Sequence, residues 1–305
     1  MSSFLLRRIL LGGLVLWVVV TLTFVLMRVM PGGPFDRERR LPPEVLANIA
    51  AKYHLEEPWL IQYGRYVINV FKGDLGPSYK YLDRSVSEII GDTFPVSLTL
   101  GLLALALAVC FSVPVGLWAA YSAGSWIDRA CMLVATLGIS MPHFILGSLL
   151  IWVFSLQLGW FQAARWGSLT SAVLPTITLA AAPAAYLSYL VRSTLLETLG
   201  EDYIRTARAK GVREIVVLFR HALVNSFIPV LTVLGPLTAA LVTGSFVVEY
   251  VFAIPGMGRF FITAVTDRDY PMIMGVTMVY TALLVCANLV VDLLYSFIDP
   301  RIKTH

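Results

Sequence analysis

The sequence predicts an all-α integral membrane protein with six transmembrane helices. Of its 305 residues, 58% are hydrophobic and only 14% are charged, whereas about 25% of the residues in a soluble domain are charged. The apolar residues are gathered into blocks of the length that a helix needs to cross a bilayer, roughly 20 residues. The predicted spans are Ile9–Met27, Pro95–Tyr121, Ala130–Leu158, Ser171–Val191, Phe227–Val251 and Met272–Phe297.

The ends of these spans carry matching local signals. The first span follows Arg7 and Arg8 as a signal peptide would, but it is too long and no A-x-A-like cleavage site follows it. We therefore expect it to remain as a membrane anchor. A proline lies near one end of four other spans, where its missing N–H is least costly; these are Pro95, Pro175, Pro229 and Pro271.

The distribution of Lys and Arg predicts the orientation of the helices. If the N-terminus is cytoplasmic, the cytoplasmic segments hold Arg7, Arg8, Arg129, Arg192, Arg205, Arg208, Lys210, Arg213, Arg220, Arg301 and Lys303. The two short external loops hold only Arg165, Arg259 and Arg268. Both termini are therefore predicted to be cytoplasmic. The net charge of +4 belongs to these loops, so we expect no nucleic-acid partner.

The segment Pro31–Phe94 is the only sizeable soluble portion that the sequence predicts. Within it, Pro43–Tyr53 and Trp59–Phe71 are typical of short amphipathic helices. The segment is too small to bury much of a core alone, so we expect it to lie against the outer face of the bundle. The chain then divides into residues 1–94 (first helix and extracytoplasmic segment), 95–298 (five further helices, with a cytoplasmic loop at 192–226) and 299–305 (a cytoplasmic tail).

The loop 192–226 is longer and more basic than a connection between two spans requires. Thr198 and Glu201 have capping-box spacing, which predicts a helix that begins near Leu199. Gly211 is typical of a helix C-cap, and Lys210 suits the negative end of the helix dipole. One face of this helix would carry Tyr203, Ile204 and Ala207, and another would carry Arg205 and Arg208.

A second amphipathic stretch, Glu214–Leu223, leads back towards the membrane. Ile215, Leu218, Phe219 and Ala222 have the spacing of one apolar helix face. Two helices joined at a glycine corner would form a rigid surface below the bilayer. Such a surface suits a lever that docks on a cytoplasmic motor, although a solvated connector would have the same composition.

Several of these segments together resemble the ABC importer permeases of the peptide/nickel class. Tyr203–Gly211 (YIRTARAKG), followed by Arg220–Leu223 and Asn225, is similar to the coupling segment of that family. Compared with the general importer motif, this sequence has Arg205 in place of a Glu and Val224 in place of a Pro. The Arg is usual for peptide-type permeases. The resemblance continues along the chain in Phe4–Ile9, Pro31–Phe35, Gly73–Gly76, Phe94–Ser97, Val248–Glu249, Ile254–Gly258, Arg268–Pro271 and Asp299–Arg301. Glu38–Val45 and Ala51–Leu55 look like the oligopeptide permease B subunit in particular.

The resemblance implies the six-helix type I ABC importer permease fold and a bacterial inner-membrane location. It implies uptake of oligopeptides or dipeptides, with a nickel chelate or another solute as the alternative cargo. Expected partners are a second homologous permease, two ABC ATPase subunits, a periplasmic peptide-binding protein and the lipid bilayer. The chain itself would be no enzyme and would hold no cofactor, because ATP would bind to the partner subunits.

The resemblance also implies two contact sites. The residues expected to couple the chain to the ATPases are Glu201, Tyr203, Arg205, Ala207, Arg208, Lys210 and Gly211. The candidate contact with the binding protein is a tight external turn formed by Pro255, Gly256, Met257 and Gly258.

Other classes of function find less support in the sequence. A secondary transporter driven by an ion gradient would need a repeat of broken helices and several charges at mid-membrane depth, and the sequence indicates neither. Glu249 and Asp292 are candidates for proton coupling, but both are predicted near the membrane interface, where they would be solvated or paired. His143 is interpreted as a histidine bonded to a neighbouring helix. The three cysteines lack the spacing of a metal site, and no spans pair a nucleophile with a base.

Overall fold

The computed structural model describes residues 2–29, 56–81 and 83–298, which are mostly helical. The α-helices are α1 (Ser2–Val29), α2 (Trp59–Phe71), α3 (Val86–Tyr121), α4 (Trp126–Ser140), α5 (His143–Leu150), α6 (Leu169–Leu199), α7 (Asp202–Ala209), α8 (Glu214–Val216), α9 (Leu223–Val242), α10 (Phe246–Val251), α11 (Gly258–Asp267) and α12 (Tyr270–Ile298). Two π-helical segments are π1 (Ile151–Gln157) and π2 (Val217–Ala222). The predicted helix Pro43–Tyr53 and the tail 299–305 lie outside the described residues.

Within the described residues, five helical segments are long and apolar enough to cross a membrane: Leu6–Val29, Val86–Tyr121, Leu169–Leu199, Glu214–Val251 and Tyr270–Leu293. A sixth span is obtained if α4 and the helix His143–Gln157, which together pass the same test, count as one broken span. The six predicted spans therefore each have a helical counterpart. Helix α2 forms where the sequence predicted it, at Trp59–Phe71.

The third span is bent, which the prediction of a continuous helix over Ala130–Leu158 missed. The helix direction bends by 105° between the two halves. Met141 is extended, with φ −88° and ψ 117°, because the ring of the following Pro142 disfavours helical geometry in the residue before it. His143 then begins α5.

The fifth span is also divided, although Phe227–Val251 was predicted as one helix. Helix α9 ends at Val242, and Gly244 follows with φ +94°, in the left-handed region that favours glycine. Ser245 then caps α10 by accepting a hydrogen bond from the Val248 N–H at 3.4 Å.

The second span begins nine residues before the predicted start at Pro95. Ser85 and Glu88 form a capping box: the Ser85 Oγ accepts from the Glu88 N–H at 3.1 Å, and the Glu88 carboxylate accepts from the Ser85 N–H at 3.0 Å. Because this cap starts the helix at Val86, Pro95 lies within α3 and not at its end.

The chain forms two compact units, and the first contains Met1–Val96 and Gly256–Leu283. Its core contains buried apolar side chains from α3, α11 and α12, among them Val86 and Phe260, together with Met257 just before α11. The buried Asp269 carboxylate holds the segment before α3 by accepting hydrogen bonds from the Ser78 hydroxyl and, at 3.1 Å, from the Tyr79 N–H.

The second unit contains Ser97–Pro255 and Leu284–His305. Its helices approach closely at glycines. A Cβ atom on Gly101 of α3 would lie 2.4 Å from the Leu241 carbonyl oxygen of α9. A Cβ on Gly116 would lie 2.6 Å from the Val191 side chain of α6. Small residues at such contacts let helix backbones pack without intervening side chains.

Candidate functional site

Helix α7 is the centre of the candidate coupling site, but it begins later than predicted. Helix α6 continues through Leu199, and the chain turns at Gly200 before Glu201 takes the N-cap position of α7. Thr198 does not form the predicted capping box, because its hydroxyl donates to the Thr194 carbonyl at 2.8 Å. Glu201 makes no side-chain capping bond.

The C-terminal end of α7 forms as predicted. Gly211 has φ +77°, its N–H donates to the Arg208 carbonyl at 2.9 Å, and the Val212 N–H donates to the Ala207 carbonyl at 3.2 Å. These two bonds form a Schellman motif, which satisfies carbonyls at the end of the helix. The sharp corner between α7 and α8 therefore depends on the glycine.

The apolar face of α7 packs inward. Ile204 is fully buried and Ala207 is 9% exposed. Both lie in a cluster with Ala120 of α3, Leu195 of α6 and apolar residues of π2. This packing attaches α7 to α3 and α6, at the ends that are predicted to face the cytoplasm. The polar side of α7 faces outward.

Tyr203 lies at the edge of this face and not within the core, since 40% of it is exposed. Its hydroxyl accepts a hydrogen bond from the Asn225 Nδ2 at 2.9 Å, and Asn225 also donates to the His221 carbonyl at 3.1 Å. Tyr203 thus connects α7 to the beginning of α9. The resemblance includes Asn225 in the coupling segment, but the local sequence does not predict its hydrogen bond to Tyr203.

The outward surface of α7 is charged. Lys210 is exposed, and Arg205 pairs with Asp202 at 3.3 Å, with side chains 73% and 96% exposed. Arg208 makes two hydrogen bonds to the Glu214 carboxylate, at 3.1 Å and 2.5 Å. These bonds raise the pKa of the Arg208 guanidinium above its usual value. Exposed ion pairs contribute at most about 1 kcal/mol to folding, so these charges are available for another role.

The predicted apolar face of Glu214–Leu223 is partly wrong. The chain is π-helical over Val217–Ala222, and the buried residues are Val217 and Ala222, which have the i, i+5 spacing of a π-helix. Ile215 and Phe219, which the 3.6-residue period placed on the buried face, are 64% and 52% exposed.

A partly buried ion pair joins α6 to α4. The Arg192 guanidinium donates to both oxygens of the Asp128 carboxylate, at 2.6 Å and 2.7 Å, and the Gly124 N–H donates to the same carboxylate at 2.9 Å. The Asp128 side chain is only 6% exposed. The sequence predicted Arg192 only as a loop cation, so this link between α4 and α6 was missed.

The four residues predicted to contact a binding protein differ in exposure. Pro255 is exposed, whereas Gly256, Met257 and Gly258 are buried. Met257 belongs to the core of the first unit and is fully buried. Of the four residues, only Pro255 therefore offers surface for the predicted contact.

The sequence predicted Glu249 to be solvated or paired, and its side chain is buried and not solvated. It is 2% exposed, and its Oε1 accepts a hydrogen bond from the Ser97 hydroxyl at 2.6 Å. Within the described part of the chain, no group of three or more His, Cys, Asp or Glu side chains has the arrangement of a metal site.

Comparison with known families identifies the class of protein. The model of the family described as "Binding-protein-dependent transport system inner membrane component" matches residues 112–304, and the model of its N-terminal part matches residues 1–101. The chain belongs to this family. It is therefore a multi-pass inner-membrane component of a transport system, and the match favours the ABC importer over the ion-gradient-driven alternative.

Curated relatives align along the whole chain. The dipeptide transport system permease protein DppB of Bacillus subtilis (strain 168) is 45% identical over 305 residues, which cover 100% of this chain and 99% of that protein. The oligopeptide transport system permease protein OppB of Haemophilus influenzae (strain ATCC 51907 / DSM 11121 / KW20 / Rd) is 41% identical over 305 residues, covering 99% and 100%. These relatives confirm the predicted family resemblance.

Solved structures confirm the fold class. A structure described as the MetNI methionine ABC transporter in inward-facing conformations has a TM-score of 0.54 and 17% identity, covering 69% of this chain and 96% of that chain. An amino acid ABC transporter crystallised with histidines has a TM-score of 0.53 and 16% identity, covering 68% and 93%. The chain thus has the type I importer permease fold.

Proposed function

We propose that the chain is the transmembrane permease subunit of an ATP-driven importer that takes up oligopeptides or dipeptides across the inner membrane. The observation that carries this proposal is the identity of 41–45% with peptide permeases over the full length of the chain. A nickel chelate is the alternative cargo, because nickel permeases share the motif at Tyr203–Gly211.

The proposed importer contains four kinds of subunit. This chain and a second homologous permease line the pathway, two ABC ATPases bind and hydrolyse ATP, and a periplasmic peptide-binding protein delivers the cargo. The family name supports the requirement for a binding protein. In this arrangement the permease has no ATPase activity of its own and both of its termini are cytoplasmic.

The outward face of α7 is the proposed contact for an ATPase. Glu201, Arg205 and Lys210 are exposed there, while Ile204 and Ala207 pack into the permease. A displacement of α7 by an ATPase would therefore be passed to α3 and α6, which share the buried cluster. Ala207 contributes by packing into the permease, and the exposed Gly211 contributes the corner that ends α7.

Reconstitution tests the cargo and the energy source together. The complete importer in liposomes should hydrolyse ATP faster with a peptide-loaded binding protein than without peptide. A nickel chelate serves as the control cargo. Stimulation by the chelate and not by peptides would refute the peptide assignment, and proton-driven transport by this chain alone would refute the ATP-driven class.

Charge reversal tests the coupling surface. Arg205→Glu changes an exposed residue with little effect on folding, so the permease should insert normally while peptide uptake falls roughly tenfold or more through the loss of a complementary charge at the contact. Arg259→Glu, on the exposed surface of α11, is the matched control and should leave uptake unchanged. Normal uptake by Arg205→Glu would count against a role for this face.

Cysteine labelling tests the orientation. On a background that lacks Cys110, Cys131 and Cys286, a cysteine at Thr266 should react with an impermeant reagent from outside. Cysteines at Ser125 and Lys210 should react only from inside. Labelling of position 210 from outside would overturn both the orientation and the proposed ATPase contact.

A further inference from the structure

The first unit contains a cavity that the proposed transport function does not use. Its volume is about 330 Å³, and it lies beside the C-terminal end of α1. The lining residues come from α1, from α2, from the segment before α3 and from the start of α12; among them are Arg28, Tyr66, Asn69 and Tyr270. The cavity is therefore lined by both cationic and aromatic groups.

Arg28 provides a fixed positive charge in this cavity. Its guanidinium lies 4.7 Å from the centroid of the Phe24 ring and 5.6 Å from that of Tyr270, and it donates a hydrogen bond to the Gln62 side-chain oxygen. These partners are all uncharged, and in the described part of the chain no carboxylate forms an ion pair with Arg28. Among the described residues, the charge is thus held in place without a carboxylate to neutralise it.

Tyr66 provides an unused hydrogen-bond donor. Its hydroxyl oxygen is buried and has no hydrogen-bond partner among the residues that the structure describes. Burial raises the pKa of this hydroxyl, so it stays protonated and can donate. An unsatisfied buried polar group is costly and calls for an explanation. A donor of this kind near an unneutralised guanidinium favours an anionic ligand.

The position of α2 fixes the depth of the cavity in the membrane. Tyr63 of α2 forms a 2.6 Å hydrogen bond with the hydroxyl of Thr21 and an edge-on ring contact with Phe24, with centroids 5.3 Å apart. Both contacts fall in the last nine residues of the apolar span Leu6–Val29, within about 12 Å of its end at 1.5 Å per residue. Helix α2 therefore packs against the end of this apolar span, which by its length would reach the membrane surface.

The exposed side of α2 is apolar at this depth. Leu60, Ile68 and Phe71, which share one helix face, are 84%, 57% and 86% exposed, and Trp59 at the start of the helix is 56% exposed. An amphipathic helix at the membrane interface places such residues among the acyl chains, and Trp is enriched at that level. The groups nearest to the cavity are then lipid headgroups.

We propose that this cavity binds the phosphate group of an anionic membrane phospholipid in the leaflet where α1 ends. Arg28 and Tyr66 donate to the phosphate oxygens, Asn69 lies beside the headgroup, and the exposed face of α2 contacts the acyl chains. Phosphate in solution has the same chemistry, but the depth of the cavity and the apolar surface of α2 favour the lipid.

Native mass spectrometry of the detergent-solubilised importer complex, titrated with phosphatidylglycerol, measures this binding. Tyr66→Phe removes only the hydroxyl and should weaken phosphatidylglycerol binding roughly tenfold, as expected for one lost hydrogen bond to a charged group. Arg28→Gln should weaken it at least as much. Tyr81→Phe and Arg84→Gln make the same chemical changes outside the cavity and should leave the affinity unchanged.

Further arms distinguish the possible ligands. The same complex is titrated with inorganic phosphate and with one peptide in two forms, with a free or an amidated C-terminus. Neither should displace phosphatidylglycerol. Unchanged lipid binding in Tyr66→Phe would overturn the proposal. Displacement of the lipid by inorganic phosphate would also overturn it and would indicate a soluble-anion site. Displacement by the free-carboxylate peptide alone would overturn it and indicate a peptide site. None of these outcomes depends on the cargo assigned above.

Discussion

The attachment of α7 to the rest of the permease depends on Ile204, and Ile204→Ala tests this directly. Ile204 is fully buried in the cluster with Ala207, Leu195 and Val217. Truncation of a buried Ile to Ala costs about 2–5 kcal/mol. Helix α7 has only eight residues, and its charged face adds little stability. Most of the lost free energy should therefore appear as local opening of α7.

Hydrogen exchange of the backbone amides measures this opening. A local loss of about 3 kcal/mol increases the exchange rate of protected amides roughly 150-fold, since each 1.4 kcal/mol is a factor of ten. In Ile204→Ala the amides of Thr206, Ala207 and Arg208 should therefore exchange much faster, while those in the middle of α6 keep their protection. Peptide uptake should decrease as the amides of α7 lose protection.

Arg205→Ala is the matched control, because this neighbouring residue is exposed and makes only a surface ion pair. Its exchange rates should stay within a factor of about five of the wild type. If α7 in Ile204→Ala exchanges no faster than in Arg205→Ala, the buried cluster does not hold the helix, and the transmission of movement from α7 to α3 and α6 is refuted.

Three further predictions concern Asp128, Gly211 and Glu249. Asp128→Asn should lower the free energy of unfolding by about 2–4 kcal/mol in thermal melts, because it leaves a partly buried guanidinium unpaired, and adding Arg192→Leu should restore part of that loss. Gly211→Ala should cost about 1 kcal/mol through its positive φ alone, since no atom of the described residues beyond its chain neighbours lies within 4 Å of the added Cβ. Gly211→Asn should cost less in the same melts, because Asn tolerates this conformation. Glu249→Gln should keep ATP-driven uptake and its pH dependence, and a lost pH dependence would point to proton coupling.

The sequence was sufficient to predict the features that depend on composition and local chemistry. Apolar blocks of the right length gave the spans, and the left-handed Gly211 was recognised as the end of α7. The start of α3 could also have been predicted, because Ser85 and Glu88 have the S-x-x-E spacing of a capping box. Thr198 and Glu201 have the same spacing, but there the packing of α6 continues the helix past the candidate cap.

The remaining features depend on contacts between distant residues. Hydrophobic periodicity assumes 3.6 residues per turn, so the π-helical Val217–Ala222 rotates the buried face away from the predicted one. The pairing of Asp128 with Arg192 joins residues that are 64 positions apart, and nothing in either local sequence specifies it. Pro142 was visible, but a proline in a membrane helix is compatible with a mild kink as well as with the observed bend.

The glycine contacts of α3 have a mechanical consequence. At an ordinary helix interface, side chains change rotamers and so accommodate small displacements of one helix without moving the other. Gly101 contacts the backbone of α9, and Gly116 contacts Val191 of α6. Because glycine has no side chain, α3 has no rotamer to change at these two contacts. Helix α3 is thus clamped at two levels about four turns apart. A displacement of α3 should therefore be transmitted to α9 with little loss. An added methyl group at either glycine would force the helices apart.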